Sequence, residues 1–179
     1  MSTYVHETAE VSPAATIGDG TYVWHQAQVR EGARIGRNCR LGKGVYIDKN
    51  VIVGDNCKIQ NSATLYDGVT VGSEVFIGPH VVFTNDKYPR ARPDDWQIVP
   101  TLVKDGASIG ANATVMCGIT VGSYAVVGAG AVVTRDVPDH GILIGNPGKL
   151  AGYACHCGRA LDEKYYCTHD KKTVPIEGG

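Results

Sequence analysis

The sequence predicts an all-β fold, a parallel β-solenoid, on three observations. Every sixth residue from Val5 to Phe83 is Val, Ile, Leu or Phe, and the same phase returns at Val103 and runs to Val133. The fifth position of these hexads is almost always small: Ala9, Ala15, Thr21, Ala27 and Ala33 open the series. Glycine recurs at the second position, as in Gly18, Gly36, Gly54 and Gly72.

Positions five and one are two residues apart, so on a strand both point to the same face. One small and one branched side chain per hexad therefore turn inward, and the residue between them turns out. A corner every six residues, with glycine where the chain bends, stacks such strands into a coil. Burying each inward Val or Ile contributes about 1.5–3 kcal/mol, enough to explain the repeat without function. Cys39 and Cys57 fall at the small inward position and are expected to be packing residues.

Bulk properties narrow the partners. Lys and Arg number 17 against 18 Asp and Glu, a balance that gives no field for nucleic acid or an anionic membrane. The start, "MSTYVHETAE", reads as neither a leader nor an anchor, and six cysteines then fit a reducing cytoplasm.

The hexads resemble those of the left-handed parallel β-helix acyltransferases, over residues 5 to about 138. The resemblance implies three hexads per triangular coil, a homotrimer and catalysis between subunits. With 18 residues per coil, residues 18 apart stack about 4.8 Å from one another. One edge then collects Trp24, His25, Lys43, Lys58, Gln60, Asn61 and His80, suited to an anionic ligand such as a nucleotide diphosphate. The next edge carries Tyr66, Asn85 and Asp86, and counting puts Cys117 and Gly118 one coil above Asn85, with Thr134 and Arg135 above those.

The rhythm breaks at "TNDKYPRARPDDWQIVPTL", residues 84–102, which hold three prolines with Tyr88 and Trp96. Ordering such a segment costs on the order of 1 kcal/mol per residue. It is therefore expected to dock, walling off a site against a neighbouring subunit.

"FTNDKYPRA", "KIQNSATLYD" and "GAGAVVTRDVP…GNPGK" resemble a narrower group: bacterial N-acetyltransferases of nucleotide-linked 3-amino sugars, which use acetyl-coenzyme A for surface polysaccharide (lipopolysaccharide) biosynthesis. By that resemblance Asn85 holds the amino group; His80, at a corner beside the sugar site, and Asp86, next to Asn85, are rival bases by their place in the count. Trp24, His25, Lys58, Gln60, Asn61 and Tyr66 bind the nucleotide sugar, of dTDP or UDP type. Gly118, Ala129, Thr134, Arg135 and Lys149 line the coenzyme. Backbone N–H groups of the "MCGIT" corner are expected to serve the developing oxyanion. An unprotonated amine needs no strong base, and "KYP" stands where the sugar O-acetyltransferases of this fold carry a histidine. O-acetylation and a non-catalytic scaffold are the alternatives.

Residues 139–179 form a C-terminal extension. Cys155, Cys157, Cys167 and His169 resemble a zinc knuckle, making a structural zinc a candidate cofactor, with free thiols as the alternative.

Overall fold

The computed structural model describes residues 2–92 and 96–176. Its strands are two to five residues long, from Tyr4–Val5 to Lys172–Thr173. All but the last two stack into three parallel faces, here A, B and C, with nine, seven and six strands; the last strand of face A is antiparallel, and Tyr166–Cys167 and Lys172–Thr173 pair as a separate antiparallel ribbon. Every regular coil advances 18 residues: Tyr22 pairs with Arg40, Arg40 with Lys58, and Lys58 with Phe76 on face A. The result is the parallel β-solenoid that the hexads predict, the left-handed β-helix that the resemblance implies.

The inward positions fill the prism. Val23, Leu41, Ile59 and Ile77 from position one are all 0% exposed, as is the broadest core residue, Phe83. Cys39 and Cys57 lie buried among them. Outward residues at position six, such as Arg40 and Lys58, remain exposed.

The corners correct one expectation. The left-handed turn conformation falls on position four, at Gly20, Gly32 and Gly44 and at Asn38, Asn50 and Asn56. Asparagine tolerates that region better than most residues. The position-two glycines answer a different demand, namely close stacking. A Cβ on Gly54 would lie 2.6 Å from the carbonyl carbon of Gly72, one coil up.

A second device clamps the coils. A position-three side chain folds down onto the backbone N–H of the coil below. Asp55 Oδ1 accepts from Arg37 N at 2.7 Å, Asn61 Oδ1 from Lys43 N at 3.0 Å and Asp105 Oδ1 from Ser73 N at 2.7 Å. The glycine beneath makes room, for a Cβ on Gly36 would meet Asp55 Oδ1 at 2.5 Å.

The inserted loop replaces a single corner without skipping a face. Phe83 leaves face B and Thr101 enters face C, where Val69 pairs with Thr101 and Val71 with Val103. The loop therefore ends at Pro100; Thr101 and Leu102, expected in it, belong to the strand Thr101–Val103. Face A continues past 138 with Gly141–Ile144, which pairs with Val126–Val127 and folds back antiparallel as Lys149–Tyr153.

Candidate functional site

Two of the prism's three edges carry the candidate residues. Trp24, His25, Lys58, Gln60, Asn61 and His80 lie at or beside the corner joining faces A and B. Tyr66, Asn85 and Asp86 lie at the corner joining B and C, one hexad along the chain. Extended chain covers at most about 20 Å in six residues, and the two groups share no pocket among those described.

The BC corner forms the larger cavity, about 700 Å³, lined by Asp48, Tyr66, Thr84, Asn85, Asp86, Pro89, Arg90 and Trp96. Its floor is polar and braced. Asp48 is 8% exposed; its Oδ1 accepts from the Tyr46 hydroxyl at 3.1 Å and Arg30 Nη1 at 3.2 Å, and its Oδ2 from Asp67 N at 3.3 Å. The Tyr46 hydroxyl, then Glu31, push the Arg30 guanidinium further above its ordinary range.

The loop closes the cavity from outside. Trp96 Nε1 donates to Asp86 Oδ1. Ile98 and Val99 then lie across the corner, where Cβ atoms on Gly68 and Gly118 would meet Ile98 Cγ2 at 2.4 Å and Val99 Cγ1 at 2.8 Å. Both glycines have positive φ, 96° and 79°, so the corner turns and stays bare at the same residues. Asp86, weighed above as a base, is thus engaged in holding the loop.

Asn85 occupies position three, where Asp55, Asn61 and Asp105 clamp the coil below. The clamp is already supplied here, because Asp67 N donates to Asp48. Among the described residues the Asn85 amide makes no hydrogen bond, and it faces the cavity.

Counting across the loop holds: Phe83 pairs with Val115 and Val115 with Val133, which brings Cys117 over Asn85 and Arg135 over Cys117. Two of the expected oxyanion donors are already engaged. Cys117 N donates to Thr84 Oγ1 at 3.1 Å and Gly118 N to Thr101 Oγ1 at 3.2 Å, so both amides are satisfied within the chain. The loop insertion brings these threonines, Thr84 at its start and Thr101 just past its end, against the corner.

The AB edge is open and cationic. Trp24, Arg40, Gly42, Lys58, Ile59, Gln60 and Asn61 line a groove of about 350 Å³. Trp24 is 39% exposed at its base, close to Tyr4 and Tyr22, and the Arg40 guanidinium lies 4.0 Å over the Tyr22 ring. His25 stacks on His6 at 3.6 Å and borders a neighbouring recess with Lys43. Asn61 spends its carbonyl on the coil clamp, leaving its amide N–H groups for a ligand. His80, with φ of 57°, is exposed higher on this edge and lies outside the BC cavity.

The coenzyme candidates divide in the same way. Ala129 and Lys149 stand exposed at the top of the AB edge; Gly118, Thr134 and Arg135 do so at the top of the BC edge. Above His80 the AB corner carries the exposed Asn112, and one coil higher it is bare, through Gly128, Ala129 and Gly130, where a Cβ on Gly130 would meet nothing within 4 Å.

Asp48 and Arg90 are site residues that sequence reasoning missed. Asp48 had a signal, a carboxylate at position two of "IDKNVI" directly beneath Tyr66. Arg90 had none, since its place depends on how the loop folds.

In the tail, Cys155, Cys157 and Cys167 converge as expected, but Asp170 rather than His169 completes the group. His169 Nδ1 instead bonds Asp170 Oδ1 at 2.8 Å.

No curated protein matches the chain. Among solved structures, the acetyltransferase domain of PglB from Neisseria gonorrhoeae FA1090 is 26% identical, covering 83% of this chain and 57% of its own, with a TM-score of 0.58. It has also been solved in complex with acetyl coenzyme A. A histidine-to-alanine mutant of GDP-perosamine N-acetyl transferase from Caulobacter crescentus, in complex with CoA and GDP-perosamine, is 25% identical over 85% of this chain and 57% of its own, with a TM-score of 0.56. This chain thus spans a little over half the length of those two. AntD, an N-acyltransferase from Bacillus cereus, shares the fold at 17% identity, 84% and 83% coverage and a TM-score of 0.52. The hexapeptide repeat of succinyl-transferase matches residues 32–67. The bacterial transferase hexapeptide (six repeats) model matches residues 14–49, 50–85 and 100–135, more than half of the sequence, and the chain belongs to that family.

Proposed function

We propose that the chain is an acetyl-coenzyme-A-dependent N-acetyltransferase, acting on the 3-amino group of a nucleotide-linked (dTDP or UDP) sugar for surface polysaccharide synthesis. The observation that carries this reading is Asn85: the position-three amide at this corner is released from clamping and turned into a cavity walled by the loop. Its Oδ1 accepts an N–H from the sugar amine and aims the nitrogen lone pair. The amine attacks the thioester carbonyl, the C–S bond breaks, and the amine's surplus proton ends on the departing thiolate. Orientation is the main catalytic contribution of such a site. The nearest carboxylates support this: Asp86 is bonded to Trp96, and Asp48 to Tyr46 and Arg30.

The split of candidates between edges supports a homotrimer with sites between subunits. The AB edge of one copy would meet the BC edge of the next, placing Trp24, Lys58, Gln60 and Asn61 to take the nucleotide and Asn85 to take the amine. Stacking on Trp24 suits a nucleobase, and Lys58 and Arg40 suit its diphosphate. The bare AB corner around Ala129 and Gly130, with Lys149 and Arg135 for the coenzyme phosphates, fits the second substrate. The Gly-rich backbone there lets an extended ligand approach closely.

The reading is tested with purified protein, acetyl-coenzyme A and nucleotide sugars bearing 3-amino, 4-amino or only hydroxyl groups, following free thiol. Release with the 3-amino sugars alone is expected, and release with 4-amino sugars instead would overturn the assigned position. Release with hydroxyl acceptors would establish O-acetylation instead, and no release with no coenzyme binding would leave a scaffold.

A further inference from the structure

Beyond the prism, the chain builds a second and much smaller core. Cys155, Cys167 and Val174 are buried, and Cys157, Leu161 and Ile176 pack against them. Half of this core is thiol. So few apolar groups do not hold a segment of about twenty residues without a cross-link or an ion.

The geometry is that of a tetrahedral site. One ligand atom each from Cys155, Cys157, Cys167 and Asp170 lies within 4.8 Å of all the others. Zinc–sulfur bonds of about 2.3 Å separate neighbouring ligand sulfurs by about 3.8 Å in a tetrahedron, and Cys157 Sγ lies 3.7 Å from Cys167 Sγ. A disulfide would need about 2.05 Å. Cys155 Sγ donates to Asp170 Oδ2 at 3.1 Å, so an ion would take the place of that thiol proton.

The surroundings are those of a ligand set. Asp170 turns one oxygen to the sulfurs and the other to His169 Nδ1, and its backbone N–H points at Cys167 Sγ at 3.4 Å. Such outer contacts fix a carboxylate's orientation and favour thiolate over thiol. The turn between the first two cysteines also anchors the tail: the His156 ring lies 4.3 Å from Tyr124 and 4.8 Å from His140 on the prism.

We propose that Cys155, Cys157, Cys167 and Asp170 bind a single Zn²⁺ ion that staples the tail to the top of the β-helix. His169 is then a positioning residue that acts through Asp170. Three soft thiolates and a carboxylate, all supplied by protein and closed around the ion, suit structural zinc and leave no position for catalysis. This assignment stands apart from the acyl-transfer reading, and its test does not use activity.

The full chain, produced with zinc in the medium and dialysed into metal-free buffer, is assayed by elemental mass spectrometry. About one zinc per chain is expected. Cys167→Ser and Asp170→Ala are expected to fall near zero, with far-ultraviolet circular dichroism reporting an intact prism. His169→Ala is expected to keep its ion but release it to a competing chelator about 10–100-fold more readily. Cobalt substitution of the unaltered chain gives a readout independent of the variants: thiolate charge-transfer and tetrahedral d–d bands. No zinc in the unaltered chain would overturn the proposal, as would a mass lowered by a disulfide. Loss of zinc in His169→Ala with retention in Asp170→Ala would overturn the ligand assignment.

Discussion

The AB and BC edges are built from the same hexads and end up unlike each other. At AB the corners follow one another without interruption, and their large polar residues make an open ladder floored by Trp24. At BC the corner after Phe83 is replaced by the loop, whose Trp96, Ile98 and Val99 fold back over the corner and turn a ridge into a cavity. On the proposed reading, one edge offers surface for binding and the other enclosure for reaction. The third corner, joining C and A, carries the Asp55, Ser73 and Asp105 clamps and serves as a control, where substitution should change stability alone.

The sharpest break in this contrast is at Asn85. Asn85→Ala should lower kcat about 100-fold or more with the KM for nucleotide sugar nearly unchanged, in a steady-state thiol-release assay. At the open edge the pattern should reverse. Trp24→Ala should raise the KM for the nucleotide sugar about tenfold, the loss of one stacking contact, and leave kcat alone.

The control edge should respond in neither parameter. Gly54→Ala puts a methyl 2.6 Å from the Gly72 carbonyl carbon and must push neighbouring coils apart. It should cost about 1–3 kcal/mol, each kcal/mol lowering Tm by about 2–4 °C, as read by calorimetry.

The smallest effect is the pH dependence of a clamp. The Asp55 carboxyl is held below its usual range first by the Arg37 backbone N–H and then by the Arg37 guanidinium. Its ionised form is thus favoured by folding, so its contribution is present above the unfolded pKa of about 3.9 and lost as pH falls through the depressed value. Asp55→Asn should therefore separate from the unaltered chain in Tm at pH 7 and approach it at pH 3.

Much of this was legible in the sequence because burial repeats with the chain. Inward Val, Ile and Ala fix the faces, and the 18-residue stacking follows from the count alone, even across the loop. What was not legible depends on contacts between coils. Position-two glycine read as a turn residue because composition shows only its permissiveness; the Asp55 and Asn61 side chains that need the space come from the next coil. The amides of Cys117 and Gly118 read as free donors because nothing in the sequence places the hydroxyls of Thr84 and Thr101 on them. Asp170 displaced His169 for a similar reason: the turn after Cys167 decides which neighbour faces the sulfurs. Asn85 stood out by resemblance, whereas its release from clamping appears only beside Asp48 and Asp67.

The central claim is that one copy's AB edge and its neighbour's BC edge together make a site. Subunit complementation tests it most directly. Chains carrying Asn85→Ala are co-expressed with chains carrying Trp24→Ala, Lys58→Ala and Gln60→Ala, and mixed oligomers are isolated through two tags. Each mixed trimer then holds one intact pairing of edges in three, so about one third of full activity should return. Mixed oligomers no more active than either variant alone would contradict the account.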